Sequence, residues 1–346
     1  MNVWTAESLG LLSALLVLGC TAGGGSTSDP LPTDAGTTTA DAGRIPMACD
    51  AVPGDIVSGQ WGLMADTVTT ARRVLVLMGG GSEDDAAARD FVTGAQGGDV
   101  LVLRASGSVD SYTAYFGTEL AAQPAPSSVT TLRLETTAAS LHPAVLCRRD
   151  AAEALWLAGG DQWDYLGLWD TQLAQHPPNV SRAVGGTSAG AMVLGAYAFT
   201  AQHGSVTSQE ALADPTGMLV DVAPSAWAQP ELANLVVDTH FTQRGREGRL
   251  LTFTAHLLDS GVTTAWGLGL DEDTALTIVD GTATVGGAGD VWLYRVTGPV
   301  TAWMAGVPLG LDGITRTRLA PGTSIPWPPA APVGDALHVV MGQVAP

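Results

Sequence analysis

A serine with a glycine two positions away on each side constrains this chain most. The segment spans residues 186–190 and reads Gly-Thr-Ser-Ala-Gly around Ser188. It separates a mostly apolar run at 182–184 from a helix-compatible run at 191–196. This pattern is typical of a nucleophile elbow, where a strand turns sharply into a helix and leaves no room for side chains beside the serine. A chance match is a serious alternative, because the chain contains 43 glycines.

Two later apolar runs end in residues that would complement a nucleophilic serine. The run at 235–238 is followed by His240, and the run at 265–270 is followed by three acids at 271–273. Ligands of open α/β sheets bind at the carboxyl ends of the strands, so a base and an orienting carboxylate would meet Ser188 there. The order serine, histidine, acid argues against an α/β-hydrolase, which runs serine, acid, histidine. The alternatives are a hydrogen-bonded structural histidine and solvated loop acids.

Arginines are concentrated immediately after this histidine. Arg244, Arg246 and Arg249 are three of the fifteen basic residues, and the chain has no lysine. Because a guanidinium binds a carboxylate in a planar, bidentate manner, the cluster predicts a substrate with free carboxylates. The alternative is a set of exposed arginines at the start of a helix, whose apolar stripe lies within residues 250–258.

Four segments resemble the cyanophycinase group of serine peptidases, in the same order. They lie at residues 159–162, 186–191, 238–250 and 267–275, within a resemblance that covers roughly residues 70–280. The resemblance implies that Ser188 is the nucleophile, His240 the base and Glu272 the third catalytic residue. It also implies a set of residues that line the substrate pocket: Gln162, Asp238, Arg244, Arg246 and Arg249.

The same resemblance implies a fold and a substrate class. The fold is an α/β, flavodoxin-like three-layer sandwich with a mostly parallel sheet, related to class I glutamine amidotransferases. Cyanophycinase releases β-Asp-Arg dipeptides from an arginine-bearing polyaspartate, so a β-linked aspartyl peptide or cyanophycin is the implied substrate. Thr239 stands where cyanophycinase typically has glutamine, which removes an amide from the expected pocket. The alternatives are an α-aspartyl dipeptidase with the same machinery and a catalytically silent protein that binds acidic peptides.

Two backbone amides are candidates for an oxyanion hole. Ala189 follows the predicted nucleophile directly, and Gly160 follows the apolar run at 154–157. Amides at these two positions can donate to the charge that develops on a reacting carbonyl oxygen.

The pattern of apolar runs predicts the sheet itself. Continuous runs at 74–78, 100–103, 130–134 and 154–157 alternate with helical patterns, as expected of parallel strands covered on both faces. The three glycines at 79–81 lack the lysine-threonine end of a P-loop. After residue 274, short runs separated by glycine turns predict a C-terminal antiparallel β extension.

The amino end predicts export. An apolar run at 9–18 is too short to span a bilayer but suits a signal peptide, and it ends in a lipobox-like Val-Leu-Gly-Cys at Cys20. We therefore predict a lipoprotein signal peptide at 1–19, a lipidated Cys20, a disordered Gly/Ser/Thr/Pro tether at 20–46 and a peptidase domain at 47–346. The expected location is the bacterial cell envelope, with a lipid anchor as the only membrane contact. A buried hydrophobic helix is the alternative.

Charge and cysteine content restrict the remaining partners. The net charge of −19 disfavours nucleic acid as a partner. Cys49 and Cys147 either form a disulfide, as export permits, or leave Cys147 as a buried thiol. No Cys/His spacing indicates zinc, and we expect neither a metal nor another cofactor. The oligomeric state stays open between a monomer and a homodimer.

Overall fold

Two hydrogen-bonded sheets contain the strands of the described residues, which are 47–175, 182–330 and 333–346 of a computed structural model. The strands are β1 (Val57–Gly62), β2 (Val74–Met78), β3 (Asp99–Arg104), β4 (Ser128–Arg133), β5 (Ala154–Leu157), β6 (Ala183–Thr187), β7 (Tyr197–Phe199), β8 (Val222–Pro224), β9 (Leu235–Asp238), β10 (Ala265–Leu270), β11 (Thr274–Val279), β12 (Thr282–Gly287), β13 (Val291–Val296), β14 (Val300–Met304), β15 (Val307–Leu319), β16 (Ser324–Pro326), β17 (Asp335–Val340) and β18 (Gln343–Ala345). The signal peptide, Cys20 and the tether were predicted for residues that lie outside the described ranges.

Helices are fewer than strands over the same residues. They are α1 (Asp85–Gly94), α2 (Asp110–Ala114), α3 (Thr137–Ser140), α4 (Pro143–Ala151), α5 (Thr171–Ala174), α6 (Ala189–Met192), α7 (Ser208–Ala213) and α8 (Glu247–Asp259). Two π-helical turns, Tyr115–Glu119 and Asp164–Leu168, and one 3-10 turn, Pro230–Leu232, complete the set. None of the helices within the described ranges has the length and apolar character needed to cross a bilayer.

The first sheet supplies the strand that precedes Ser188. Its order is β1-β4-β3-β5-β6-β2-β11-β12-β16, and the five strands from β4 to β2 are mutually parallel. All five residues of β2 are buried, as its continuous apolar run predicts. Met78 pairs with Thr187, so β2 and β6 end at the same level beside Ser188.

The second sheet supplies the strand that precedes His240. Its order is β18-β17-β15-β13-β10-β9-β7-β8, with β14 paired to β15. The strands β7, β9 and β10 are parallel, and the other pairings are antiparallel. Asp238 pairs with Gly269, so β9 and β10 also end at a common level, just before His240 and the three acids.

Three clusters of buried apolar side chains hold the layers together. One contains residues from α1 and one face of the first sheet, including Phe91 and Val76. The next combines the opposite face of the first sheet, including Leu77, with residues of the second sheet such as Val237. The third joins the other face of the second sheet to α8 through residues such as Phe253. Removal of this apolar surface from water is the main stabilising contribution.

The fold agrees with the predicted α/β class but not with a single mostly parallel sheet. The edge of β2 that faces away from β6 is occupied by β11, which pairs antiparallel with it. Because that edge is filled, β9 does not extend the first sheet and pairs instead with β7 and β10. The predicted antiparallel extension exists, but its strands divide between the two sheets. The α/β class is compatible with this arrangement, whereas the flavodoxin-like three-layer sandwich is not confirmed.

A disulfide ties the beginning of the described chain to α4. Cys49 and Cys147 are joined across a sequence separation of 98 residues, with their Cα atoms 5.6 Å apart. The alternative of a free buried thiol at Cys147 therefore does not apply. A cross-link that closes so long a loop restricts the unfolded chain more than it changes the folded one.

Removal of this disulfide should lower the free energy of unfolding. We expect the Cys49→Ser/Cys147→Ser double variant to lose about 2–4 kcal/mol, measured by denaturant titration. Addition of a reductant should destabilise the unaltered protein to a similar extent and leave the double variant unchanged. Equal stability of the two proteins under oxidising conditions would contradict the expectation.

Candidate active site

Ser188 lies at a strained turn between a strand and a helix. It connects β6 to α6 with φ 51° and ψ −121°, a conformation that non-glycine residues rarely adopt. Its backbone N–H donates to the carbonyl of Met78 at 3.0 Å, which fixes the turn to the end of β2. The hydroxyl is thereby held beyond the carboxyl end of the first sheet, as in a nucleophile elbow.

The two glycines of the serine motif are required by close packing. A Cβ atom at Gly186 would lie 2.7 Å from the carbonyl carbon of Gly190. A Cβ atom at Gly190 would lie 2.0 Å from the carbonyl oxygen of Leu157, at the end of β5. Any side chain at either position would therefore displace the backbone of the turn.

Ser188, His240 and Glu272 form a continuous hydrogen-bonded chain. Ser188 Oγ and His240 Nε2 are 2.8 Å apart, and His240 Nδ1 and Glu272 Oε1 are 2.6 Å apart. With Nδ1 donating to the carboxylate, Nε2 has a lone pair that can accept the serine proton. This is the arrangement of a nucleophile, a base and an orienting acid.

The loops that present the histidine and the acid are bound to each other. Asp271 Oδ1 accepts hydrogen bonds from the backbone N–H and the hydroxyl of Thr242, at 2.9 and 2.8 Å. The backbone N–H of Glu272 donates to Gln243 Oε1 at 3.0 Å. Asp271 is 4% exposed, and its bonds to Thr242 hold the loop of Glu272 against the loop of His240. Sequence patterns did not distinguish these roles among the three adjacent acids.

The glycines at 79–81 form the wall behind His240. Gly80 has φ +88°, and a Cβ atom there would lie 2.3 Å from Cε1 and 2.6 Å from Nε2 of His240. The carbonyl of Gly79 accepts the backbone N–H of His240 at 2.9 Å. The sequence of these glycines was compared only with that of a phosphate-binding loop. Their position after β2 could have indicated a place in the site, because β2 ends level with β6, which precedes Ser188.

The environment of His240 favours its neutral form. Burial lowers the pKa of His240 below the ordinary value of 6.5, and the nearby positive charges of Arg244 and Arg246 lower it further. The hydrogen bond and charge of Glu272 oppose this shift without reversing it. A neutral imidazole at neutral pH can act as a general base.

The two predicted oxyanion donors lie in the loop after β5 and at the start of α6. Ala189 is the first residue of α6, a position where a helix amide has no acceptor within the helix. Gly160 follows β5, and a Cβ atom at its neighbour Gly159 would lie 3.5 Å from Ser188 Cβ. The segment 159–160 therefore approaches the serine closely, and its small residues leave space for a reacting carbonyl.

A cavity of about 190 Å³ contains several of the predicted substrate-binding residues. Gln162, Arg244, Arg246 and Arg249 all contribute to its lining, together with Gly160. Arg244 is exposed and makes no side-chain hydrogen bond with another described residue. Arg246 donates through Nη1 to the carbonyl of Thr239 at 2.7 Å, and burial lowers its pKa to about 10. Both arginines keep N–H groups available for an anion.

Asp238 and Arg249 form a buried ion pair beside the cavity. Arg249 Nε and Nη2 donate to the two carboxylate oxygens of Asp238 at 2.7 and 2.6 Å, and their residue exposures are 1% and 0%. Asp238 also accepts a weaker bond from Arg246 at 3.3 Å. Arg249 contributes to the lining of the cavity, whereas Asp238 does not, so the predicted contact role is corrected for Asp238 and stays a prediction for Arg249. Thr239 is likewise fully buried and does not line the cavity.

Three carboxylates lie together at the end of the first sheet that is opposite to Ser188. Oxygen atoms of Asp66, Asp99 and Glu153 lie within 4.8 Å of one another. Asp99 begins β3 and Glu153 precedes β5, so both are at the amino ends of strands whose carboxyl ends face Ser188. Their oxygens accept hydrogen bonds from Thr67, Ser128 and the amide of Asp99. This cluster takes no part in the site described above.

Comparison with known proteins gives partial matches to cyanophycinases. A cyanophycinase from Trichormus variabilis is 33% identical over 154 residues, which cover 43% of this chain and 47% of that protein. A cyanophycinase from Synechococcus elongatus is 36% identical over 154 residues, covering 42% and 43% respectively. The chain thus spans less than half the length of these curated relatives. No protein-family model matches the chain.

Solved structures of peptidases are also similar in part. A peptidase from an acI-B1 Actinobacterium has a TM-score of 0.48 at 16% identity, over 74% of this chain and 98% of that chain. A putative peptidase E protein from Listeria monocytogenes EGD-e has a TM-score of 0.37 at 11% identity, over 63% and 100%. Over the residues matched in sequence, the chain is similar to cyanophycinases, as its motifs predicted.

Proposed function

We propose that this protein is a serine-type peptidase that hydrolyses β-linked aspartyl peptides. The observation that carries the proposal is the chain of hydrogen bonds from Ser188 through His240 to Glu272, at 2.8 and 2.6 Å. The sequence similarity to cyanophycinases supports the reaction class. Cyanophycin itself is one candidate substrate within that class.

The reaction would proceed through an acyl-enzyme. His240 Nε2 takes the proton from Ser188 Oγ as the oxygen attacks the carbonyl carbon of the scissile amide. The amides of Gly160 and Ala189 would donate to the resulting oxyanion. His240 then returns the proton to the leaving amine, and the same base activates the water that releases the acyl group from Ser188.

The arginines support a substrate with a free carboxylate on its acyl side. Arg244 and Arg246 share the small cavity with Gly160, next to the segment that approaches Ser188. A cavity of about 190 Å³ accommodates one small acidic residue such as an aspartyl group. Bidentate binding of that carboxylate by a guanidinium would orient the scissile bond.

Export and lipid anchoring through Cys20 are a further proposal. The disulfide between Cys49 and Cys147 supports it, because disulfides persist in the oxidising compartments outside the bacterial cytoplasm. Metabolic labelling with a fatty acid, compared between the unaltered chain and Cys20→Ser, would test the lipid attachment directly.

Substitution of the proposed nucleophile should abolish covalent labelling. We expect a fluorophosphonate probe to modify the protein and Ser188→Ala to prevent both labelling and hydrolysis of a β-aspartyl dipeptide. The matched control is Ser58→Ala, an exposed serine of β1 outside the cavity, which should keep both properties. Labelling that persists in Ser188→Ala would contradict the assignment.

Acid inactivation should follow the neutral form of His240. Because the pKa of His240 is lowered, kcat/KM should be fully developed above pH 6.5 and fall at lower pH as the imidazole gains a proton. Arg244→Gln removes a positive charge that lowers the pKa of His240. In this variant the loss of kcat/KM at acid pH should therefore begin at a higher pH. Arg89→Gln makes the same charge change at an exposed position of α1 and should leave the pH dependence of kcat/KM unchanged. An unchanged pH dependence of kcat/KM in Arg244→Gln would contradict the electrostatic explanation.

Filling the space at Gly80 should displace the imidazole. Gly80→Ala would bring a Cβ atom to 2.3 Å from His240 Cε1, and we expect kcat to fall about 100-fold, the usual effect of a displacement near 1 Å. Gly261→Ala is the matched control, because Gly261 also has a positive φ, +98°, but no atom lies within 4 Å of its added Cβ. The two variants should lose similar thermal stability and differ in activity. Equal activities would argue against the wall function of Gly80.

A further inference from the structure

The segment at residues 78–83 contacts the loops of all three proposed catalytic residues. The carbonyl groups of its first two residues accept the backbone N–H groups of Ser188 and His240, at 3.0 and 2.9 Å. The carbonyl of its third residue accepts the backbone N–H of Asp273 at 2.8 Å, directly beside Glu272 in the chain. A movement of this segment would therefore displace the nucleophile, the base and the acid together.

The middle of this segment is adaptable, so its position depends on what holds its two ends. Residues 79–81 are all glycine, and Gly80 and Gly81 have φ values of +88° and +82°. Glycine loses more backbone freedom on folding than any other residue, so a run of three is costly to hold in one conformation. Strand β2 fixes the first end of the segment, whereas Glu83 lies at the other end, just before α1.

The carboxyl group of Glu83 interacts with side chains of α2 and β6. The hydroxyl of Tyr112, in α2, donates to Glu83 Oε1. The other carboxyl oxygen, Oε2, is buried and has no hydrogen-bond partner within the described ranges. Burial raises the pKa of Glu83, and interactions with the hydroxyls of Tyr112 and Thr187 only partly oppose that shift. Thr187 is 6% exposed and directly precedes Ser188, so Glu83 lies close to the turn of the nucleophile.

Tyr112 is itself held in place by aromatic packing. The centroid of its ring lies 5.4 Å from that of Phe116 and 6.2 Å from that of Trp156, and both of these rings are buried. Burial and the charge of Glu83 raise the pKa of Tyr112 well above its ordinary value of 10, so its hydroxyl keeps its proton at neutral pH. The packed ring therefore presents a fixed donor to Glu83.

We infer that Glu83 is a positioning residue, which anchors the segment at 78–83 and thereby keeps Ser188 and His240 at reacting distance. This inference rests on the proposed function and adds a residue outside the triad and the small cavity. Because burial disfavours the charged carboxylate, the anchor depends on hydrogen bonding and shape rather than on charge. A glutamine would keep both, since its carbonyl group accepts from Tyr112 and its amide nitrogen occupies the place of Oε2.

Two substitutions of Glu83 test the inference through kcat and through the rate of labelling by a fluorophosphonate. We expect Glu83→Ala to lower kcat for a β-aspartyl dipeptide at least about tenfold, because small displacements of reacting groups are costly. Its KM should stay within about twofold, since the arginines of the small cavity are unaltered. The labelling rate should fall with kcat, and Glu83→Gln should restore most of both.

Tyr112→Phe gives an independent measurement in a variant that keeps the aromatic packing. It removes only the hydroxyl that donates to Glu83, so kcat should fall while KM again stays unchanged. Glu231→Ala is the matched control, because Glu231 is also a partly buried glutamate and accepts two hydrogen bonds from Arg73, both at 2.7 Å. Glu231 lies before β9, at the opposite end of that strand from His240. The control should lose thermal stability and keep kcat.

The outcomes separate this inference from the proposed function. An unchanged kcat in Glu83→Ala, or in Tyr112→Phe where the alanine variant does not fold, would overturn the inference. A Glu83→Gln variant as impaired as Glu83→Ala would overturn it too. In each case, labelling and hydrolysis by the unaltered protein would leave the peptidase proposal intact. If the unaltered protein is neither labelled nor active on the dipeptide, the proposed function and this inference fail together.

Discussion

The hydrogen bond between Ser188 and His240 joins the ends of two separate sheets, and the candidate site depends on it. The serine is fixed by the strained turn after β6, and the histidine has its own positive φ of 48° after β9. Neither residue could reach the other if the sheets shifted by an ångström or two. The carbonyls of Met78 and Gly79, consecutive residues at the end of β2, accept the backbone N–H groups of Ser188 and His240 respectively. One short segment thus sets the separation of nucleophile and base.

Beneath His240, a buried ion pair holds the arginine-bearing segment against β9. Asp238 ends that strand, and Arg249 belongs to the first turns of α8, so their bidentate contact fixes the loop between them. Arg249 also lies over the rings of Phe199 and Phe253, at 5.3 and 5.7 Å from their centroids. Removing one partner of such a pair leaves a buried charge, at a typical cost of about 3–5 kcal/mol. The pair keeps Arg244 and Arg246 in position.

Sequence patterns located the residues of the site more reliably than the arrangement of the strands. The motif around Ser188 encodes its own turn, since both glycines fill positions where a side chain would collide with the backbone. The apolar run of β2 predicts a strand buried on both faces, but not that β11 would occupy its free edge. Strand pairing depends on contacts between distant segments, which local periodicity does not record. For the same reason, an arginine-rich motif could not reveal that Arg249 is buried and Arg244 exposed.

The small cavity contains a cluster of arginines, although the whole chain is strongly acidic. A net charge of −19 repels anions at long range, yet Arg244, Arg246 and Arg249 line the small cavity. At physiological ionic strength, screening confines exposed charges to an effective range of about 8 Å, so the cavity arginines govern an anion once it has entered. The overall charge then affects the rate of encounter, whereas the guanidinium groups affect orientation and selectivity.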